Sequence, residues 1–259
     1  MPLTVTGSQP TSYDWVEYFY QNAPEPVLPW IDARRLSGAE RRAVTASIQQ
    51  FQLGENASGD RLIERAQRFA RRSGDLGFVA ALRLFIREEQ RHSRILAQFL
   101  RREGLPCLRR HWIHEVFRKV RGLAGVELCL KVLATAEVIA RPYYSALRDA
   151  TGSPLLQQIC ELILKEESAH LRFQSFALQK FRIRRMGIAE RAVKALHRSF
   201  LLCTAMVVWM GHLPVFRAAG RSFPQFWAQA LEEFEAMYRA DKKSPGECNS
   251  GAQSIACSG

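Results

Sequence analysis

The chain has 259 residues, 47% hydrophobic and 24% charged, enough apolar material for one large core or two small ones, which excludes disorder for most of its length. Lys and Arg number 37 against 25 Asp and Glu, a formal charge of +12 that would suit an anionic partner such as nucleic acid or a lipid surface. The six cysteines form no C-x-x-C pair, which argues against a zinc ribbon, a rubredoxin-type iron site and a thioredoxin-like redox motif and favours reduced thiols in a cytoplasm.

Residues 1–10 are polar and lack the basic-then-apolar layout of a signal peptide, so no export is expected. Residues 1–36 mix Pro10, Pro24, Pro26 and Pro29 with Tyr13, Trp15, Tyr18, Phe19, Tyr20 and Trp30, the composition of an irregular arm lying over a core. Ser37-Gly38-Ala39-Glu40 has the form of a capping box, in which a hydroxyl and a carboxylate satisfy orphan amides, and predicts a helix running to about Arg72. Gly54 and Gly59 flank Glu55 within it, which reads either as local helix weakness or as close backbone approach near a packed site.

The turn Ser73-Gly74-Asp75 leads into a second helix, to about Glu103, with Phe78, Ala81, Leu82, Phe85 and Ile86 at three-and-four spacing. A connection from Cys107 to Val120 precedes a third helix to about Ala150, in which Pro142 should produce a kink. Thr151-Gly152-Ser153-Pro154 turns into a fourth, ending near Phe181. Residues 187–213 read as a fifth helix ended by Pro214, and 223–240 as a sixth. The tail from Lys242 has the composition of a disordered segment. The longest apolar run, Phe200 to Met210, is about half the ~20 residues of a bilayer span and reads as part of a buried helix. Without sustained strand alternation or a Gly-rich nucleotide fingerprint, the expected class is all-α.

The second and fourth helices carry matching segments: Leu84 to His92 reads LFIREEQRH, and Leu162 to His170 reads LILKEESAH, 78 residues on. Each holds an E-x-x-H motif, Glu89 to His92 and Glu167 to His170, whose carboxylate and imidazole share a helix face and can converge on one ion. Each is preceded by a further candidate, Glu55 by 34 residues and Glu137 by 30. From Glu137 to the turn is ~21 Å along the helix and from Ser153 to Glu167 again ~21 Å, so an antiparallel hairpin levels the two. The first hairpin is less symmetric, ~27 Å down and ~21 Å back.

Four carboxylates and two histidines at one level of a bundle core require a counter-charge, since burying an unpaired carboxylate costs several kcal/mol. Two divalent metals supply it, and a set of oxygen and imidazole ligands without thiolate favours iron or manganese over structural zinc. Among the nearest alternatives, Glu64 lies too close to Glu89 for a level hairpin, and Glu88 and Glu166 point about 100° off their neighbours' face. These three and Glu127 are expected at the surface or behind the ligands.

The pattern of Glu followed by E-x-x-H, repeated once, resembles the ferritin-like superfamily of di-iron carboxylate proteins, built on a four-helix bundle with one long crossover. The resemblance covers roughly residues 38–183. It implies a bundle over 37–183, an N-terminal arm over 1–36, additional helices over 184–241 and a tail over 242–259. It also implies two iron ions, with manganese or a mixed pair as the alternative: Glu55, Glu89 and His92 serve largely one metal, Glu137, Glu167 and His170 the other, and some glutamates bridge.

Within that superfamily the long C-terminal extension is unlike cage-forming ferritins, and no Cys-rich module of the rubrerythrin kind is present. The place of the radical tyrosine in the small subunit of ribonucleotide reductase is Leu96, with Gln174 after the second histidine. Ile163 stands where an arylamine N-oxygenase would carry an extra histidine. The resemblance then implies an oxidoreductase using O₂ on a small molecule, supplied by an external electron donor because no flavin or nicotinamide fingerprint is present. An iron-binding or ferroxidase-type protein is one alternative. A tRNA-modifying di-iron hydroxylase is another, with the basic stretches Arg109 to Arg121 and Arg182 to Arg198 as either a phosphate-binding face or a solvated one. Tyr144 shares the face of Glu137 and is read as core, pocket wall or electron relay. Phe51 and Phe173 are read as core or as walls of an apolar cavity. His111, His114, His197 and His212 have no motif partner and are read as structural or surface.

Overall fold

The computed structural model describes residues 10–31, 34–111, 125–182 and 187–239. These form nine helices and no strand, as the sequence pattern requires.

The N-terminal arm is more regular than its composition suggests. Helix α1 (Ser12–Gln21) starts at a capping box of its own: Thr11 Oγ1 accepts from the Asp14 amide at 3.3 Å, and the Asp14 carboxylate accepts from the Thr11 amide at 2.6 Å. Such a cap contributes about 1 kcal/mol. Trp15 and Phe19, one turn apart, are buried by it, Trp15 against Phe173 and Phe176 and Phe19 against Phe85 and Phe173, so aromatic content marks an amphipathic helix here and not an irregular strap.

Helix α2 (Gly38–Glu55) begins at the Ser37–Glu40 capping box and stops at Glu55, well short of the expected Arg72. Asn56 to Gly59 break the helix, and α3 (Asp60–Ser73) restarts after Gly59 in the left-handed region at φ 68°. A β-carbon at Gly59 would run into the Ile86 side chain of the next helix, so both readings of this glycine hold, a weak helix and a close approach.

The other bundle helices follow the predicted pattern. Asp75 caps α4 (Leu76–Arg102) by accepting from the Phe78 amide at 3.1 Å. Helix α5 (Val126–Asp149) continues unbroken through Pro142, and Thr151 to Ser153 turn the chain into α6 (Pro154–Arg182). Glu40 fastens this turn to the start of α2, accepting from the Gly152 amide at 2.6 Å and from the Ser37 amide at 2.7 Å. Broken α2/α3 with α4, and α5 with α6, make the two hairpins of the bundle. Most of the connection between α4 and α5 falls outside the described residues, as do His114 and the tail expected to be disordered.

Three further helices lie over the bundle. Helix α7 (Ile188–Gly211) ends two residues earlier than expected, and Pro214 opens α8 (Leu213–Ala218) instead of closing α7. Proline is tolerated there because the first turn of a helix leaves its amides unpaired. Helix α8 packs on α2 and α5, and α9 (Phe223–Arg239) packs on α5, α6 and α7. The run Phe200 to Met210 is not the buried segment expected. In α7's most apolar window 22% of residues are buried, with His197, Leu201, Thr204, Ala205 and Val208 inward and Leu196, Met206 and Met210 exposed. Among the described residues α7 is the one helix long and apolar enough to cross a membrane.

Two substitutions separate the glycines around Glu55. Gly59→Ala should destabilise the metal-free protein by about 1–2 kcal/mol, because a positive φ and the Ile86 overlap both oppose it. Gly54→Ala, which meets nothing within 4 Å, should be neutral or stabilising by up to about 1 kcal/mol in urea unfolding.

Glu40 also predicts an acid limb. Burial raises its pKa, but the hydrogen bonds from Gly152 and Ser37 outweigh burial and hold it at about 2. A carboxyl depressed on folding stabilises the protein above its unfolded pKa, near 4.5, and that stability is lost as pH falls towards 2. Unfolding curves collected between pH 4.5 and 2 should therefore be flatter in Glu40→Gln than in the unmodified chain.

Candidate metal centre

All six sequence-predicted residues meet in the bundle. Glu55 is the last residue of α2, Glu89 and His92 project from α4, Glu137 from α5, and Glu167 and His170 from α6. Ligand atoms of Glu55, Glu89 and His92 lie within 4.8 Å of one another, and so do those of Glu89, Glu137, Glu167 and His170. Glu89 belongs to both groups, which is the placement of a bridging carboxylate.

The histidines turn Nδ1 inward. His170 Nδ1 lies 2.8 Å from Glu89, 3.5 Å from Glu167 and 3.7 Å from Glu137, and His92 Nδ1 lies 3.6 Å from Glu167 and 3.9 Å from Glu89. Yet Glu89 Oε1, both oxygens of Glu167 and the Nδ1 atoms of both histidines are buried without an aligned hydrogen-bond partner. An orphaned buried polar atom costs roughly 1–3 kcal/mol, and five facing one another would be a serious defect in a protein without a cation. Carboxylate oxygens and neutral imidazole nitrogens around a common centre fit two divalent ions, with no thiolate to select zinc.

The proton equilibria agree. Burial first, and then the charges of Glu89 and Glu137 respectively, push Glu55 and Glu167 well above the usual carboxyl range, and burial with the Glu137 charge raises Glu89. Burial would raise Glu137 as well, but the close Glu167 carboxyl and the His170 imidazole draw it down. His170 resists burial and is raised by the charges of Glu89 and Glu167. Without metal, protons supply the missing counter-charge.

The outward nitrogens are held by the two glutamates placed behind the ligands. Glu166 on α6 takes His92 Nε2 at 2.6 Å, and Glu88 on α4 takes His170 Nε2 at 3.4 Å, so each helix supports the histidine of the other. Arg91 joins the pair: its Nη2 donates to Glu88 and to Glu166, at 2.7 Å each. Its Nη1 reaches the carbonyls of Asn22 and Pro24, and the Asn22 amide donates to Glu88 and Glu166. The N-terminal arm thus closes the network from outside. Sequence reasoning missed Arg91 and Asn22. Glu88 and Glu166 recur at the same offset as the ligands beside them, and that doublet was the available signal.

Other candidates settle into plainer roles. Tyr144 donates to Glu55 at 3.0 Å, and burial with the Glu55 charge keeps its phenol protonated. Phe51 stacks on Tyr143 with ring centroids 3.5 Å apart and forms part of the cavity wall, as one of its two readings expected, whereas Phe173 sits among Trp15, Phe19, Phe78 and Phe85 in the core. Glu64 pairs with Arg68 and Glu127 with Lys131. His197 bonds Tyr238 and Thr135, and His212 bonds Ser47.

A cavity of about 630 Å³ opens on Glu55, Glu89 and Glu137. The break after Glu55 forms its rim, Val132, Ala136 and Ala140 of α5 one wall, and Thr204 and Val208 of α7 the other, with His111 and His212 beside them.

A helical bundle in which two hairpins bring Glu and E-x-x-H sets to one level is the ferritin-like fold. Among solved structures the chain is similar to an R2-like ligand-binding oxidase, a single-substitution variant reconstituted anaerobically with a Mn/Fe cofactor. The TM-score is 0.63 at 14% identity, covering 93% of this chain and 96% of that one. No family model and no curated protein matches the sequence.

Arg91 should be worth more to stability than any surface ion pair. Arg91→Met leaves Glu88 and Glu166 buried without their cation and should cost about 3–5 kcal/mol in denaturant unfolding of the metal-free protein. Arg91→Lys should fall between the two, because an ammonium restores charge without the planar fork.

Proposed function

We propose that the chain is a non-haem dimetal oxidoreductase that uses O₂ to oxidise a small, largely apolar substrate. The observation that carries this reading is the cavity: it ends on Glu55, Glu89 and Glu137, and so reaches the unpartnered Glu89 Oε1 shared by both ligand groups. Glu55, Glu89 and His92 would hold one ion, Glu137, Glu167 and His170 the other, with Glu89 between them. A reduced pair of iron ions, or a manganese–iron pair as in the similar oxidase, supplies the electrons and Lewis acidity that O₂ chemistry needs.

The chain's own groups do the rest. Glu88 and Glu166 fix the imidazoles with Nδ1 inward, since each Nε2 hydrogen is committed to a carboxylate. Tyr144 holds Glu55 by its hydroxyl hydrogen and places a proton beside that carboxylate. The apolar walls exclude water from the substrate's side of the centre. Electrons come from an external donor, and localisation in the cytoplasm follows from the reduced cysteines under the same reading.

Metal analysis after anaerobic loading with iron, or with iron and manganese together, should give about two ions per chain. His92→Ala and Glu167→Ala should each lower occupancy, and full retention by both would overturn the ligand set. Chemically reduced, loaded protein should consume O₂ and stop near two metals. Uptake of many irons per chain would favour a ferroxidase-type storage protein, and salt-sensitive RNA binding would favour the tRNA-modifying alternative.

A further inference from the structure

Three side chains beside the cavity form a chain of hydrogen bonds that the metal centre does not use. The Ser47 and Tyr143 hydroxyls are 2.8 Å apart, and Ser47 Oγ is 2.7 Å from His212 Nδ1. All three residues are buried, and no other side-chain hydrogen bond joins them to a described residue. Satisfaction of donors sets the direction. If Ser47 gave its proton to Tyr143, the phenol hydrogen would be buried with no acceptor, at a cost of roughly 1–3 kcal/mol. The consistent order is Tyr143 donating to Ser47 and Ser47 donating to His212 Nδ1. His212 is then the tautomer with hydrogen on Nε2.

His212 also lines the cavity, and its Nε2 has no hydrogen-bond partner among the described residues. Phe51 and Tyr143 meet the ring edge-on, at 5.2 and 5.3 Å between centroids, and fix its plane. Thr204, on the same wall, spends its hydroxyl hydrogen on the Phe200 carbonyl at 2.9 Å and has no hydrogen left to donate. Burial, and then the neighbouring His111, lower the His212 pKa to about 4, so the ring is uncharged near neutrality.

We infer that His212 is a substrate-orienting hydrogen-bond donor, and that the cavity takes an apolar molecule bearing an uncharged acceptor such as a ketone, ether or hydroxyl oxygen. The acceptor docks on His212 Nε2–H, and the apolar remainder lies along Val132, Ala136 and Ala140 towards Glu55 and Glu137. The inference deepens the oxidoreductase reading and rests on it only for which end of the molecule reacts.

The test is binding of three probes of one shape to the purified full chain, by titration calorimetry, with and without metal. They are 2-acetylnaphthalene, 2-isopropenylnaphthalene, which replaces the carbonyl oxygen by a methylene, and 2-naphthoate. The ketone should bind about tenfold tighter than the alkene, the ratio one hydrogen bond gives. That ratio should fall below about twofold in His212→Phe, shrink in Ser47→Ala where the tautomer is no longer fixed, and persist in Thr204→Val. Equal affinity of ketone and alkene in the unmodified chain, or no binding by any probe, overturns the inference. Arg61 at the start of α3 also lines the cavity, so tightest binding of 2-naphthoate with loss in Arg61→Gln overturns the inference as well, by making that arginine an anion site. If His212→Phe does not fold, the ratio in the unmodified chain and in Ser47→Ala decides. Metal stoichiometry and O₂ uptake on the same preparation report separately on the oxidoreductase reading, because the metal-free chain can show the ketone preference without any redox chemistry.

Discussion

Four carboxylates at one level of an apolar bundle, Glu137 and Glu167 buried and Glu55 and Glu89 half-buried, cannot all be ionised unless positive charge is placed with them. Everything around Glu55, Glu89, Glu137 and Glu167 answers to that constraint. Protons meet part of it in the metal-free chain, as the raised pKa values of Glu55, Glu89 and Glu167 require. They meet it poorly, because a shared proton leaves oxygens of Glu89 and Glu167 and both inward imidazole nitrogens without a partner. Two divalent ions would satisfy charge and lone pairs together. The fold therefore holds in place a site whose groups repel one another, and its stability must come from the core and from the ion pairs outside the site.

The outer pairs show how an internal repeat can be completed by asymmetry. Glu88 and Glu166 occupy equivalent places and exchange partners across the bundle, each supporting the other helix's histidine. The residue after next but one differs: Arg91 on α4 corresponds to Ala169 on α6. A second arginine would bring two buried guanidinium groups to one carboxylate pair. One guanidinium, forked between both carboxylates, serves the two halves at once and leaves Nη1 for the carbonyls of the N-terminal arm. The arm is thereby part of the site's electrostatics, and its helix α1, packed through Trp15 and Phe19, is what makes Asn22 a fixed neighbour.

Periodicity and repetition made the bundle and the six converging residues legible, because an E-x-x-H pair on an apolar face has few uses and two copies in matching contexts have fewer. What stayed hidden depends on tertiary contacts. The break after Glu55 was foreshadowed by Gly59, but whether that glycine ended a helix or relieved a contact is decided by Ile86, which belongs to another helix. Helix α1 was masked by prolines around it, although Thr11 and Asp14 carry a capping signal. The apolar run of α7 misled in the opposite direction: hydropathy shows that a helix could be buried, while the number of neighbours available to bury it depends on where α7 docks. His212 had no motif partner in sequence because its partners, Ser47 and Tyr143, come from α2 and α5.

That last point separates the centre from the specificity it serves. The bundle alone would hold the six converging residues and leave Glu55 and Glu137 facing open solvent on the side where α2 stops. Helix α7 and the short α8 cover that side, and Thr204, Val208 and His212 recur every fourth residue to give the cavity a largely apolar wall with one neutral donor. Because these residues lie outside the repeated hairpins, they can vary without disturbing the charge balance around Glu89 and Glu167. Under the proposed reading, substrate choice is written in α7 and the turn to α8, and the chemistry in α2, α4, α5 and α6.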